Sequence, residues 1–347
     1  MENLFILRAK DKYSDLTEEM ITKISLKFNT LQFDSLESIS ENKLFFPIEL
    51  DNFGMDFDML KLIKKIYEND NNAFNGTSGI LIINSSTEFY TKKFCQYFIF
   101  LLNSFGCRFI GHPLVEATSS LLNFKTWQKS YNLSLRDICL LQCEKLGKRF
   151  YDYNPVKISS PNILVLYSKL HKRSNTYDFY KLIRNNLKGC FIDEINIENG
   201  KINDCRGCSY KACIHFGESN SCFYGGIMVE AVLPKIEKAD AVIWLCPNYN
   251  DSITANLTAL INRLTVLYNK MPFYSKSLFS VIVSGNSGSD SVANQLIGSL
   301  NINKGFSLPP KAFATATAND PMSIYDYPDI YNIADKFAEN ILSEIKK

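Results

Sequence analysis

The chain has 347 residues, more than one ordinary domain and enough for two. Hydrophobic residues make up 46% and charged residues 21%, enough apolar material for two packed cores, and a net charge of +2 argues against a surface dedicated to nucleic acid or to an anionic membrane. No apolar run approaches the length of a membrane span, and the N-terminus MENLFILRAK has no basic segment before its short apolar run, so no secretory leader is expected and a cytoplasmic location is.

Taken in order, residues 4–7 read as a strand. Residues 15–28, DLTEEMITKISLKF, read as a helix with Asp15 as N-cap and Ile21, Ile24 and Leu26 apolar. LFFPIEL, 44–50, is apolar, but Pro47 assigns it to an edge strand or a loop. A second amphipathic helix covers 58–67. GILIINS, 79–85, is a continuous apolar run, as a strand covered on both faces would be. An aromatic-rich helix follows at 91–103, then a strand within 107–117. Residues 118–161 hold one helix, 135–151, and a turn-rich tail, DYNPVKISSP. This reading gives a first domain at 1–125, a helical linker at 126–160 and a second domain at 161–347.

The second half keeps the same rhythm. Strands are expected at 163–167, 191–197, 241–245, 278–283 and 312–318, and helices at 177–187, 228–236, 255–268, 291–300 and 330–345. In the last helix Ile330, Ile333, Phe337 and Ile341 form one stripe. Alternating strands and helices indicate a doubly wound parallel sheet, so the fold class is α/β with two tandem domains. The halves also resemble each other: Phe53-Gly54-Met55, a helix and GILIINS run parallel to Gly226-Ile227-Met228, a helix and AVIWLC. Only the second half has a phosphate-style loop. The segment after Leu7, RAKDKYSD, lacks glycine, so the first domain is expected to be degenerate and without cofactor.

The stretch NILVLYSKLHKRSNT, 162–176, is a short apolar run, a polar loop closing on Ser174-Asn175-Thr176, and a helix start. Such a junction holds an anion on backbone N–H groups and hydroxyls, or is an ordinary capped helix. Ligands in an open parallel sheet bind beyond the carboxyl ends of the strands. Two more loops leave strands at that edge, CPNYNDSITA from Cys246 and SGNSGSD from Ser284. Both are rich in small hydroxyl and amide residues that suit the edge of a flat polar ring. Turn-making is the alternative for Pro247 and Gly285, and packing on its own domain for Tyr249. His171 falls in the first loop and is read as solvent-exposed, and His112 as structural. No acid–base dyad or nucleophile stands out.

Of ten cysteines, Cys95, Cys107, Cys139, Cys143, Cys190 and Cys246 sit in apolar or helical contexts, as small buried hydrophobes do. Cys205, Cys208, Cys213 and Cys222 crowd one polar stretch with spacing C-x2-C-x4-C-x8-C. Four thiolates so placed suit an iron–sulfur cluster or a zinc ion, with His215 as a substitute ligand, while free thiols or redox-active pairs stay open.

The second half resembles the flavodoxin-like superfamily, in particular its NAD(P)H-dependent FMN reductase and iron–sulfur flavoprotein branch. The first loop of that branch reads close to G-S-P-R-x-x-G-N-T. Here it is YSKLHKRSNT: Ser168, Asn175 and Thr176 match, Ser174 replaces the glycine, and the loop is about one residue longer. The second loop follows a D-A-hydrophobic strand with P-x-Y and ends on a helix with a D-R pair. Pro247, Tyr249 and Arg263 match, and Asn262 replaces the acid. The cysteine stretch lies where iron–sulfur flavoproteins carry C-x2-C-x2-C-x5-C, and differs in both later gaps.

The resemblance implies an FMN with its phosphate on Ser168, Ser174, Asn175 and Thr176. Its ring would lie against Pro247, Asn248, Tyr249 and Asn250 and against Ser284, Gly285, Asn286 and Ser287. It implies hydride or electron transfer at the flavin, NAD(P)H as donor, a small-molecule or redox-protein acceptor, and a 4Fe-4S cluster on Cys205, Cys208, Cys213 and Cys222. Relatives pair so that one subunit covers another's flavin, so a homodimer is an expectation, beside cover by the first domain. An iron–sulfur electron carrier and a cofactor-free scaffold of the same fold are the alternatives.

Overall fold

Each half of the chain builds one five-stranded parallel sheet. The structure is a computed structural model that describes residues 3–32, 39–169, 173–219 and 221–347. The chain divides into two units, Met1–Asn154 and Pro155–Lys347. Strands of the first are β1 (Asn3–Ile6), β2 (Asn29–Gln32), β3 (Lys43–Leu50), β4 (Ser78–Ser85) and β5 (Arg108–Ala117). Strands of the second are β6 (Asn162–Tyr167), β7 (Phe191–Asn196), β8 (Ala241–Pro247), β9 (Ser277–Ser284) and β10 (Phe313–Thr317). The orders are β2-β1-β3-β4-β5 and β7-β6-β8-β9-β10, the same flavodoxin-like order twice. Both α/β units therefore reverse strand order at one place, between β1 and β3 and between β6 and β8.

Central strands are buried along nearly their whole length because helices cover both faces. Leu44, Phe45, Phe46 and Ile48 of β3, Ile80 to Ile83 of β4, and Ala241 to Cys246 of β8 are all at most 1% exposed. The helices carry the complementary stripes. Phe179, Tyr180 and Ile183 are buried on helix Asn175–Arg184, and Ile330, Ala334, Phe337, Ala338 and Ile341 on helix Ile330–Ile345.

Several details differ from the expectations. Pro47 lies in a central strand, paired with Ile82 of β4. β1 runs alongside β3 only as far as Phe45, so no ladder partner stands there for the missing N–H, and the Tyr13 hydroxyl donates to the Pro47 carbonyl at 3.2 Å. The N-cap position of helix Asp15–Ser25 is Ser14, not Asp15, and its side chain makes no capping hydrogen bond among the described residues. β2 and helix Tyr210–Glu218 were not read from the sequence, and the expected helix 255–268 is two, Ala255–Arg263 and Thr265–Lys270.

Helix Leu135–Tyr151, expected in a linker, packs in the core of the first unit. Ile138, Cys139, Cys143, Leu146 and Phe150 join Leu4, Ile24 and Phe28 there. Gly147 sits so close to the Ile24 carbonyl that a Cβ would collide with it, which lets the two helices approach. It closes the first unit as helix Ile330–Ile345 closes the second. The shared order also resets the internal likeness: GILIINS is the fourth element of its sheet order, the place of β9, and LFFPIEL takes the place of AVIWLC.

Candidate functional site

The second unit gathers the loops leaving β6, β8, β9 and β10 around one cavity of about 300 Å³, at the low end for pockets that hold small molecules. Of the expected residues, Ser168, Ser174, Asn175, Thr176, Pro247, Asn248, Tyr249 and Gly285 line it. Lys169, Arg173, Val283, Ala318, Asn319 and Pro321 join them without having been singled out. The rule that ligands sit beyond the strand ends would have found Asn319, since it leaves β10. Arg173 adjoins the Ser-Asn-Thr segment. Residues 170–172, with His171, lie outside the described residues.

The first loop ends on helix Asn175–Arg184. Ser174 caps it, its Oγ accepting from Tyr177 N at 3.4 Å. The amides of Asn175 and Thr176 head the helix, where N–H groups have no acceptor within the helix and the dipole favours an anion. Lys169 and Arg173 add cationic side chains at this end, Lys169 standing over the Tyr177 ring at 4.7 Å. The helix is fastened to β7 through Glu194, which accepts from the Tyr177 and Tyr180 hydroxyls at 2.9 and 3.0 Å and pairs with Arg184 at 2.9 Å. Burial, then the Glu194 carboxylate, push both phenols far above their usual range, so they stay protonated donors.

Asn175 Nδ2 donates to the carbonyls of Ala318 (3.2 Å) and Asp320 (2.9 Å), which fixes the amide and ties the first loop to the fourth. Its Oδ1 is buried and has no partner among the described residues. Asn248 behaves alike. Its Nδ2 donates to Asp251 Oδ1, Ser284 Oγ and the Ser287 carbonyl at 3.2, 3.1 and 2.8 Å, and its Oδ1 is buried without a partner among the described residues. Two orphaned acceptors beside one cavity call for a ligand that brings O–H or N–H groups. A ribityl phosphate with a flavin ring has those donors and the anion, so FMN fits the residues present.

The remaining expected residues shape the wall instead of lining it. Ser284 is fully buried, its hydroxyl 2.7 Å from that of Ser289. Asn286 Oδ1 accepts from Ser287 N at 2.6 Å, and its carbonyl accepts from Thr317 Oγ1 at 3.3 Å. Asn250 turns the chain at φ 53°. Gly288, at φ 87°, leaves room where a Cβ would strike the Asp251 carboxylate, so the second and third loops interlock only with glycine there.

A second cavity of about 240 Å³ brings Cys205, Cys208, Cys213 and Cys222 together with Phe216, Phe223 and Tyr224. All four are free thiols, Cys205 and Cys208 exposed, Cys213 and Cys222 half-buried. Burial, then the charges of Cys205, Cys222 and Cys208, push the Cys213 thiol up. The donor set suits a soft metal. Among the described residues, however, no three His, Cys, Asp or Glu side chains stand arranged around one ion. His215 packs edge-on against Phe216 at 5.4 Å.

No helix among the described residues is long and apolar enough to cross a membrane. No curated protein sequence matches the chain significantly. Solved structures with a similar trace include RosB with bound 8-demethyl-8-formylriboflavin-5'-phosphate, at 17% identity and TM-score 0.44 over 53% of this chain and 81% of that one. They include an NAD(P)H:quinone oxidoreductase from Methanothermobacter marburgensis, at 12% and 0.42 over 53% and 100%. An azoreductase from Bacillus anthracis matches at 12% and 0.39 over 52% and 98%. The sequence model of one family, described as NADPH-dependent FMN reductase, matches residues 161–320, the stretch that builds the cavity at the ends of β6, β8, β9 and β10. Residues 161–320 thus form a domain of the NADPH-dependent FMN reductase family.

Proposed function

We propose that the second unit binds FMN in the 300 Å³ cavity and that the chain is a flavin-dependent oxidoreductase drawing on NAD(P)H. The observation that carries this reading is the pair of buried, unpartnered acceptors, Asn175 Oδ1 and Asn248 Oδ1, on loops that share one cavity with a helix N-terminus. Asn175, Thr176, Lys169 and Arg173 would take the phosphate. Asn248 and the Pro247–Tyr249 turn would orient the ring, with Ser284 and Gly288 holding that turn in place. FMN, when bound, supplies the redox chemistry, accepting a hydride and releasing electrons one or two at a time. The chain contributes position and electrostatics, and its site needs no acid–base pair. The acceptor is a small molecule or a redox protein, and pairing of two chains would cover the open side of the cavity.

Absorption spectroscopy of protein purified without air tests the reading. One flavin per chain is expected, with NAD(P)H bleaching the flavin band. A colourless protein that takes up no FMN at micromolar concentration would sink the idea.

A second reading adds a metal centre on Cys205, Cys208, Cys213 and Cys222, as an iron–sulfur cluster or a zinc ion. It is favoured by all four thiols opening on one cavity. The helix Ala255–Arg263 begins at the flavin loops, where Asn256 Nδ2 donates to Ser168 Oγ at 3.1 Å, and ends at the cysteine cavity. Seven residues of helix put the two about 10 Å apart. Iron, sulfide and zinc analysis of the same sample decides it.

A further inference from the structure

The second cavity, of about 240 Å³, has a mainly apolar wall with a buried cation in it. Arg263, the last residue of helix Ala255–Arg263, lines it and is 3% exposed. Its guanidinium donates only to neutral acceptors, the carbonyls of Asn203 at 3.4 Å and Gly225 at 2.9 Å. Its Nε is buried without a partner among the described residues. Asp204, next in the chain to Asn203, does not supply the missing charge. Its carboxylate accepts from the amide of Cys205 at 2.7 Å and from Asn262 Nδ2 at 2.9 Å. A guanidinium has five N–H groups, and burying it with no anion beside it is costly, so the site calls for an acidic partner.

Much of the remaining wall is aromatic. The Phe223 ring meets that of Phe216 with centres 5.7 Å apart and planes at 64°, and that of Tyr224 at 5.2 Å and 85°. Edge contacts of this kind leave ring faces free to take another flat ring. Tyr210 and Phe223 are 72% and 68% exposed, apolar surface whose cover by a ligand is favourable. The Arg206 guanidinium stands 5.3 Å from the Tyr224 ring centre, a second positive charge in the wall. A cavity of about 150 Å³ already holds benzene, so this larger one has room for a single ring with a short acidic substituent.

We propose that this cavity binds a small aromatic carboxylate, with its ring among Tyr210, Phe216, Phe223 and Tyr224 and its charge on Arg263. The site lies at the far end of helix Ala255–Arg263 from Asn256, whose Nδ2 donates to Ser168 Oγ in the first loop. The ligand is therefore a second occupant of the unit and not the group that meets the flavin. It needs the rings and the guanidinium and no metal on the cysteines, and it stands or falls apart from the flavin reading.

The test is a fluorine NMR titration of para-fluorobenzoate with the full chain in the presence of FMN, with melting temperature as a check on folding. Binding at about 1 mM or tighter is expected. The uncharged para-fluorobenzamide, of nearly the same shape, should bind at least about tenfold more weakly, and R263Q should weaken para-fluorobenzoate by at least about tenfold too, since each removes one side of a charge-assisted pair. F223A, at an exposed position where folding is not at stake, should weaken it roughly three- to tenfold. If R263Q does not fold, the amide and F223A decide the matter alone. Equal affinity for acid and amide overturns the proposal. So does acid binding that either variant, once folded, leaves unchanged, because the ligand then sits elsewhere, the flavin cavity included. No binding at millimolar concentration overturns it outright.

Discussion

The two units share a strand order and differ in what fills the end of the sheet. In the second, the head of helix Asn175–Arg184 faces a cavity. In the first, the head of helix Asp15–Ser25 faces a carboxylate from its own chain. Glu49, near the end of β3, accepts from Ser14 N and from Thr17 Oγ1, both at 3.1 Å. Asn84 of β4 completes the set, donating to Ser14 Oγ and Thr17 Oγ1 at 3.0 and 3.1 Å. Glu49 thus sits at the place where the second unit opens its cavity. The other loops follow suit. In the first unit Glu88, after β4, accepts from the amide of Ser120 at 2.7 Å and from the Ser119 hydroxyl, closing that loop on the one after β5. In the second unit the corresponding loops bring Gly285 and Asn319 side by side in the wall of the cavity. One topology therefore yields an open cavity or a sealed edge, depending on whether the neighbouring strands bring amides or carboxylates.

If that difference is what matters, a carboxylate introduced into the second unit should close its cavity. R173E places one beside Ser174. FMN affinity should fall roughly 100-fold at low salt, since like charges brought together cost several kcal/mol. Riboflavin, which lacks the phosphate, should bind R173E as it binds the wild type. Fluorescence quenching titrations with both ligands check this, and an equal loss for the two would break the comparison.

Next in size is G285V. Gly285 has an ordinary backbone conformation, but a Cβ there would lie 3.1 Å from Asn319 Oδ1, its neighbour in the cavity wall. Pushing Asn319 aside and crowding the cavity wall should cost about 1–2 kcal/mol, or roughly tenfold in FMN affinity. The melting temperature without FMN should move little. A variant that binds FMN as tightly as wild type would show that the ring does not lie against this part of the wall.

The third test turns to the sealed edge. E49A leaves Ser14 N and Thr17 Oγ1 without their acceptor. Charge-assisted bonds at a partly exposed helix start suggest a loss of about 1–2 kcal/mol in the stability of the first unit. Denaturant unfolding of the full chain, followed by tyrosine fluorescence, would show it. Flavin content should stay at one per chain in wild type and variant alike. Two flavins per wild-type chain would contradict the sealed edge outright.

Much of this was legible in the sequence, for a physical reason. Apolar runs and helical stripes give the sheet and its covering helices, and the strand-end rule points to loops whose own composition is polar and small. The cavity-lining residues Asn175 and Asn248 could be named because a polar loop of small residues after a strand is recognisable locally. Glu49 and Glu88 could not. Each is an ordinary acidic residue whose meaning comes from a neighbour 35 and 32 positions away. Helix Leu135–Tyr151 escaped assignment to the first unit because cysteines and a glycine carry much of its buried face, and these count for little in an apolar stripe. Pro47 misled for a similar reason. Whether proline is tolerated in a strand depends on how far the next strand extends, and β1 pairs with β3 only as far as Phe45.

The smallest effect belongs to Glu88, and its sign is fixed. Hydrogen bonds from Ser119 and Ser120 hold its carboxyl down to about 2, against an ordinary 4.5. A carboxyl depressed on folding contributes stability that is fully present above its unfolded value, and that stability is lost as pH falls through the folded one. The window is therefore pH 4.5 down to about 2. E88Q removes the titrating group, so the melting temperature of the first unit should depend less steeply on pH across that window than in wild type. The two proteins should converge at its acid end, where the wild-type carboxyl is protonated too. Glu88 is solvent-exposed, so the difference at neutral pH should be slight and should shrink with added salt. The second unit has no counterpart, because Gly285 offers no side chain to bridge to Asn319. Identical acid limbs in E88Q and wild type would mean that the carboxylate does not hold the loop after β5, and that the first unit's sealed edge rests on Glu49 alone.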